Sequence, residues 1–175
     1  MKVYNSQPIK TISIIGSFRK QMNEIRDAKE TFEKYGFQVL VPKSTTITGD
    51  TEASFALLDT DTTSEPRKLE KDYLKALIKA DIVYCCNKGG YIGKSAMFEL
   101  GYLVAKGAMV YFLEQPQEEL INDLIADRYT ICQPEQLCKK LLIENEIWKE
   151  REWFDADRDY VSSFSFDFPK NDRSL

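Results

Sequence analysis

Histidine is absent from this 175-residue sequence. Its absence excludes Ser-His-Asp and Cys-His catalysis, zinc sites with histidine ligands, and histidine as a general base. If the chain is an enzyme, carboxylates are therefore expected to carry its proton transfers and its covalent chemistry. The four cysteines form no C-x-x-C pattern and lie in apolar or helical contexts, so we expect reduced core thiols.

The sequence also has no apolar run near the roughly 20 residues that a membrane-spanning helix requires, and no signal peptide is visible at its N-terminus. A net charge of −4 and a pI near 5.1 leave no basic footprint, which argues against duplex nucleic acid as a partner. With 43% hydrophobic and 30% charged residues, the composition is that of one globular domain. We expect a cytoplasmic protein that binds no membrane.

Short apolar, β-branched runs alternate with amphipathic segments along the chain. The pattern predicts five strands, at residues 11–15, 37–41, 82–86, 109–113 and 129–132. It also predicts five helices, over residues 21–35, 67–79, 116–126 and 134–148 and from Ser95 onward. Crossovers of β-α-β units are right-handed, so the strands should be parallel. The predicted α/β fold is a flavodoxin-like, doubly wound five-stranded parallel sheet in the order 2-1-3-4-5, formed by residues 1–148.

Two segments fall outside this alternation. Residues 43–66 are long for a loop and rich in Thr, Asp and Ser, which favours a lid over a site, although a mobile surface loop fits the same composition. Residues 149–175 alternate aromatic side chains with acids and serines. We expect this aromatic tail to dock on its own domain or on a neighbouring subunit.

The order 2-1-3-4-5 has its switch point between the first and third strands, where sheets of this kind bind ligands. Gly16-Ser17-Phe18-Arg19 follows the first of these strands, and a glycine-bearing loop at residues 87–93 follows the third. We expect Ser95 to cap the helix after that loop. A glycine loop that leads into a helix N-terminus is suited to an anionic or polar ligand.

Two acids are placed to meet at this crevice. Glu99 lies one turn into a helix that is otherwise mostly apolar or small, a pattern typical of a buried helix. Asp72 flanks the apolar stripe of the preceding helix. If they meet, one carboxylate can trap the cation-like sugar of N-glycosidic cleavage while the other handles the proton. Structural roles fit the same pattern, because the helix dipole favours Glu99 near a helix start and Asp72 is typical of an exposed acid.

Three stretches carry a further signal: Ile-Ile-Gly-Ser-Phe-Arg at 14–19, Lys-Asp-Tyr-Leu-Lys-Ala-Leu-Ile-Lys-Ala-Asp-Ile-Val at 71–83, and Gly93 with Phe-Glu-Leu-Gly-Tyr-Leu-Val-Ala-Lys-Gly at 98–107. In this order they resemble the nucleoside 2-deoxyribosyltransferase family, including its branch of deoxynucleoside 5′-monophosphate N-glycosidases. The resemblance implies that Glu99 is a nucleophile that forms a glycosyl-enzyme, and that Asp72 contacts the substrate and assists proton transfer. It also implies phosphate contacts from Ser17 and Arg19.

The sequence departs from the family at several points. Where the first strand of the family often has a tyrosine that positions the nucleophile, this chain has Ser13, and neither residues 43–66 nor residues 149–175 match. No metal or organic cofactor is implied, since the mechanism needs only carboxylates. Family members are commonly oligomers, so we expect a homodimer or a higher homo-oligomer. Besides the two acids, the predicted substrate-binding residues are Ser13, Gly16, Ser17, Phe18, Arg19, Asn87, Gly93 and Ser95.

Two other interpretations fit the sequence. Gly89-Gly90-Tyr91 before a helix glutamate is also similar to the Pro-Gly-Gly-x-Gly-Thr loop of the lysine-decarboxylase-like phosphoribohydrolases, which cleave ribonucleotides, although the proline and threonine are missing here. A nucleotide-binding sensor would use the same crevice without catalysis, with Glu99 holding a ribose hydroxyl. Every interpretation has a nucleoside or a nucleotide as the partner.

Overall fold

The structure, a computed structural model, describes residues 8–48, 56–125 and 129–162. Its elements in chain order are β1 (Thr11–Gly16), α1 (Met22–Lys34), β2 (Gln38–Val39), β3 (Ile47–Thr48), β4 (Leu57–Leu58), α2 (Pro66–Leu77), β5 (Ile82–Cys86), α3 (Lys94–Ala105), β6 (Val110–Phe112), α4 (Glu119–Ile125), β7 (Tyr129–Ile131) and α5 (Pro134–Ser162). A short 3-10 turn at Lys88–Gly90 lies between β5 and α3.

Five of the strands form one parallel sheet in the order β2-β1-β5-β6-β7. They are the five strands predicted from the sequence, so the flavodoxin-like order 2-1-3-4-5 is confirmed. The central strands β1 and β5 are almost entirely buried, as expected for parallel strands with helices on both faces. Their register pairs Gly16 with Cys86, which places the turns that follow the two strands side by side.

The core has one layer on each face of this sheet. On one face, Phe32 of α1 and Leu137 of α5 pack in a cluster with Tyr84 of β5. On the other face, Leu77 of α2 and Leu100 of α3 belong to a second cluster. The four cysteines are free thiols, and three of them are buried as predicted for core residues, whereas Cys132 is only partly buried. Because α2 and α3 share one face, their side chains can meet beyond the carboxyl ends of β1 and β5.

The segment 43–66 contains more regular structure than predicted. β3 and β4 pair antiparallel as a small hairpin, and residues 49–55 lie outside the described part of the chain. The segment ends where α2 begins at Pro66, because proline is favoured in the first turn of a helix. Between the hairpin and α2, residues 56–63 run along the carboxyl edge of the sheet, where they line a cavity.

The start and the burial of α3 differ from prediction. The helix begins at Lys94, with Gly93 in the N-cap position and no side-chain capping hydrogen bond, so the predicted cap at Ser95 is wrong. Ser95 instead lies in the first turn. Nor is α3 buried on every side, since Phe98 is 60% exposed while Glu99 and Leu100 are buried.

The last helix is longer than predicted. α5 continues to Ser162 rather than ending near Trp148, because no glycine or proline interrupts it and ion pairs such as Lys149–Glu146, at 2.7 Å, support it. The predicted docking of the aromatic tail concerns side chains from residue 150 onward and residues 163–175, outside the described part. It stays a prediction, as does the homo-oligomer. Across residues 8–48, 56–125 and 129–162, no helix is long and apolar enough to cross a membrane.

Candidate active site

A cavity of about 460 Å³ opens at the carboxyl edge of the sheet. Its walls come from the turn after β1, residues 56–63, α2, the loop after β5 and the start of α3. The volume lies within the range of about 300–1,000 Å³ that is typical of small-molecule sites. The structure brings eight of the ten predicted site residues together around it: Gly16, Ser17, Phe18, Arg19, Asp72, Gly93, Ser95 and Glu99.

The other two predicted residues, Ser13 and Asn87, are not among the described residues that line this cavity. The Ser13 side chain is fully buried, and its hydroxyl donates a hydrogen bond to the carbonyl oxygen of Ala76 at 3.4 Å. Asn87 is also fully buried, where its amide donates to the Glu114 carbonyl oxygen at 2.7 Å and its Oδ1 accepts the Glu114 N–H at 3.0 Å. Ser13 thus ties β1 to α2, and Asn87 ties the loop after β5 to the end of β6.

Glu99 lies on the core-facing side of α3 and is only 6% exposed. Its Oε2 is buried and has no hydrogen-bond partner among the described residues. Burial, and then the negative charge of Glu70, raise the pKa of the Glu99 carboxyl to about 8. A buried carboxyl without a partner is costly, and such groups cluster at functional sites.

Glu70 is a cavity residue that the sequence analysis did not single out. It lies on α2, three residues before Tyr73 and seven before Leu77, both of which pack against the core, so helical spacing puts it on the inner face. It is half-buried, and its Oε1 is buried without a hydrogen-bond partner in the described ranges. Burial raises the pKa of its carboxyl. An acid within the apolar stripe of α2 was the signal that would have revealed it.

Asp72 also lines the cavity, but its environment is different. Its side chain is 58% exposed and forms an ion pair with Lys75 at 2.9 Å. The hydrogen bond from Lys75 lowers the pKa of the Asp72 carboxyl. In this geometry Asp72 is an ionised, solvated acid, and its predicted role in proton transfer stays a prediction.

Tyr73 closes the inner wall of the cavity between α2 and β1. Its hydroxyl donates a hydrogen bond to the carbonyl oxygen of Ile14, and its ring packs edge-on against Phe18 with the centroids 6.0 Å apart. Burial, followed by the charges of Glu99 and Glu70, raises the pKa of the Tyr73 phenol well above its ordinary range. The tyrosine therefore stays protonated. Its apolar ring and its polar hydroxyl form a fixed part of the cavity wall beside the two acids.

Two contacts hold the turns after β1 and β5 together. A Cβ on Gly93 would lie 3.2 Å from the Cβ of Ser17, so the absence of a side chain permits the close approach. Gln21, which is 3% exposed, accepts the Ser17 N–H at 3.0 Å and donates to the Tyr91 carbonyl oxygen at 3.0 Å. No local pattern in the sequence indicates the contact with Tyr91, because Tyr91 lies 70 residues further along the chain.

Three cations, Arg19, Lys43 and Lys94, also line the cavity. All three are exposed, and none has a hydrogen bond, an ion pair or a ring contact with another described residue. Cations that are not engaged by protein acids are available to an anionic ligand. Within the described ranges, no group of three or more Cys, Asp or Glu side chains is arranged to hold a metal ion.

Fold and site together define an α/β domain whose switch-point cavity contains a buried acid, a half-buried acid and a set of exposed cations. Comparison with known proteins adds little beyond the fold. No family model matches the sequence, and no curated protein matches it.

Solved structures do resemble this chain. A conserved protein from Enterococcus faecalis V583 is 14% identical, with a TM-score of 0.53 over 76% of this chain and 97% of that one. The CMP N-glycosidase BcmB from Clostridium botulinum is 16% identical, with a TM-score of 0.49 over 77% of this chain and 98% of that one. The likeness to the Enterococcus protein shows a shared fold.

Proposed function

We propose that this protein cleaves or transfers the N-glycosidic bond of a 2′-deoxynucleoside or its 5′-monophosphate, with Glu99 as the nucleophile. One observation carries the proposal: the Glu99 carboxyl is buried in a cavity of ligand size, and its Oε2 has no hydrogen-bond partner among the described residues. A purely structural acid at such a position is normally paired, because an unpaired buried carboxyl destabilises the fold. An acid that receives a substrate is the better explanation.

In the proposed reaction, the Glu99 carboxylate attacks the anomeric carbon of the sugar as the C1′–N bond breaks. The bonding electrons leave with the base, which takes up a proton from a second acid. Water, or a nitrogen of a second base, then attacks C1′ and gives a proton to the conjugate base of that acid. The ester bond to Glu99 breaks, and its electrons return to the carboxylate.

The exposed cations Arg19, Lys43 and Lys94 support a substrate that carries a 5′-phosphate. A guanidinium can bind two phosphate oxygens at once, and two nearby ammonium groups would offset the remaining charge. The Ser17 hydroxyl lines the same part of the site and can donate a further hydrogen bond. We therefore expect the monophosphate to be a better substrate than the nucleoside.

The proposal is tested by measuring the release of free base with chromatography. Deoxynucleosides, their 5′-monophosphates and ribonucleotides are each incubated with the protein, and we expect base from the deoxy substrates. Glu99→Ala should lower the rate by at least about 1,000-fold and leave the protein folded, because the covalent step is lost. Glu30→Ala, at an exposed position on α1, is the control and should keep full activity. Full activity in Glu99→Ala would refute the nucleophile, and base from ribonucleotides alone would favour a phosphoribohydrolase.

A nucleotide-binding sensor is the second candidate, because the burial of the Glu99 carboxyl favours its protonated form. With its pKa raised to about 8 by burial and by Glu70, the carboxyl is mostly protonated at neutral pH and can donate a hydrogen bond to a sugar hydroxyl. Saturable nucleotide binding in a calorimeter, with no base released between about pH 6 and about pH 9, would favour the sensor.

A further inference from the structure

We propose that Glu70, rather than Asp72, is the acid that protonates the leaving base and then accepts the proton of the attacking water. This inference rests on the proposed function, since it names the second acid of that reaction. Glu70 lines the same cavity as Glu99, and each acid has a buried oxygen without a hydrogen-bond partner among the described residues. Those two oxygens are the only side-chain atoms of this kind in the described ranges.

The location of Glu70 suits contact with a ligand. α2 presents Glu70 one turn before Tyr73, whose hydroxyl is held by the carbonyl oxygen of Ile14. Glu70 also lines a second, shallower depression that adjoins the first one and includes Arg67 and Lys94. A side chain that lines both hollows is reached from solvent and from the buried acid, as a group that passes protons to water must be.

The other ionisable groups around the two acids are engaged elsewhere. Asp72 is paired with Lys75, and Asp61 accepts the Leu58 N–H at 2.8 Å. Cys85 is buried on β5, and burial keeps the pKa of its thiol well above its ordinary value. The cations that line the two hollows are Arg19, Lys43, Arg67 and Lys94.

The chemistry requires one proton on the two acids together. Glu99 must be ionised to attack C1′, and Glu70 must be protonated to supply the base, so the reactive form is the one in which the shared proton has moved from Glu99, where burial favours it, to Glu70. Two neighbouring carboxyls repel each other when both are ionised, so removing the second proton is harder than removing the first. The charge of Glu70 acts on Glu99 in this way. The rate should therefore follow a bell-shaped pH profile, with its alkaline limb near pH 8 set by loss of the shared proton.

Glu70→Gln is the test, because it keeps the shape of the side chain and removes the ionisable carboxyl. We expect kcat on a natural deoxynucleoside monophosphate to fall by about 100-fold or more, with the alkaline limb of the pH profile lost. A substrate with a p-nitrophenolate leaving group needs no protonation, so its rate should fall by less than about 5-fold. A role in folding alone would lower both rates equally and leave the pH profile in place.

Two further variants complete the experiment. Glu65→Gln, at an exposed position before the first turn of α2, is the matched control and should behave as the wild type. Asp72→Asn is the competing assignment: loss of the alkaline limb in this variant, with Glu70→Gln unaffected, would overturn the proposal. Failure of the proposed function is seen separately, because the wild type would then release no base from any substrate.

Discussion

Burying the Glu99 carboxyl costs free energy that other contacts in the fold must offset. The group has a pKa of about 8 in the folded protein against an ordinary value of 4.5, and burial is the main cause. Between these two values the folded state holds a proton that the unfolded chain has released. The contribution of the Glu99 carboxyl to the free energy of unfolding is therefore most favourable below about pH 4.5, and it becomes less favourable as the pH rises towards about 8.

Glu99→Gln should remove this pH dependence. The variant and the wild type are expected to differ little in their free energies of unfolding at about pH 5, with the variant gaining about 3 kcal/mol relative to the wild type by about pH 8. Urea unfolding at several pH values measures the difference. Glu30→Gln, an exposed acid on α1, should show a constant offset. A difference for Glu99→Gln that is also constant would mean that the carboxyl is ionised at neutral pH.

Single residues could be predicted to line the cavity where the local sequence pattern itself was unusual. Glu99 stood out as an acid in an apolar helix, and the structure places it in the cavity. Glu70 was not predicted, since the acid predicted on this helix was Asp72, which lies two positions further along and so on a different face. Ser13 and Asn87 were predicted to bind substrate, but their side chains form contacts between elements. The sequence pattern shows neither which face of β1 carries Ser13 nor that the end of β6 lies beside Asn87.

At the scale of elements, the site depends on how the turns after β1 and β5 are joined. Gln21 contributes to this connection, because its amide accepts a hydrogen bond from the Ser17 N–H and donates one to the Tyr91 carbonyl oxygen. Both backbone groups would lose this partner in a partly buried position if the amide were removed. The turn that carries Arg19 would then be less firmly placed relative to α3.

Gln21→Met should lower the free energy of unfolding by about 1–2 kcal/mol, because two backbone groups in a partly buried position lose a hydrogen bond. KM for a deoxynucleoside monophosphate should rise more than kcat falls, since the turn positions substrate rather than reacting atoms. Urea unfolding and steady-state kinetics measure the two effects. Gln133→Met, at an exposed position, is the matched control, with a change below about 0.5 kcal/mol. An unchanged KM in Gln21→Met would show that the turns do not need this connection.

The strands and the helices were predictable because hydrophobic periodicity is a local property. β1 and β5 read as buried strands, and the handedness of crossovers then limited the sheet to few orders. Short elements and helix ends were harder to predict. The strands of the β3–β4 hairpin have only two residues each, too few to show a hydrophobic period. α5 extends beyond its predicted end because neither glycine nor proline stops it.

At the scale of the whole molecule, the cavity of this acidic chain is lined by cations as well as by acids. The protein carries a formal charge of −4, yet its cavity has three exposed cations that no described acid neutralises, Arg19, Lys43 and Lys94. A monophosphate brings roughly two negative charges to this region, whereas a nucleoside brings none. The interaction that distinguishes the two ligands is therefore electrostatic, and salt should weaken it.

Binding to the Glu99→Ala variant, which prevents turnover, measures this interaction by calorimetry. Raising the salt from about 0.05 M to about 0.5 M should increase the Kd of a deoxynucleoside monophosphate by about 5-fold and leave that of the nucleoside within about 2-fold. Adding Arg19→Met should weaken monophosphate binding by about 10-fold, because a bidentate contact is lost, and leave the nucleoside unaffected. Lys139→Met, which breaks an ion pair with Glu135 on α5, is the control for charge removal elsewhere. If Arg19→Met weakened the binding of the monophosphate and of the nucleoside equally, Arg19 would not contact the phosphate, because the phosphate is the only group by which the two ligands differ.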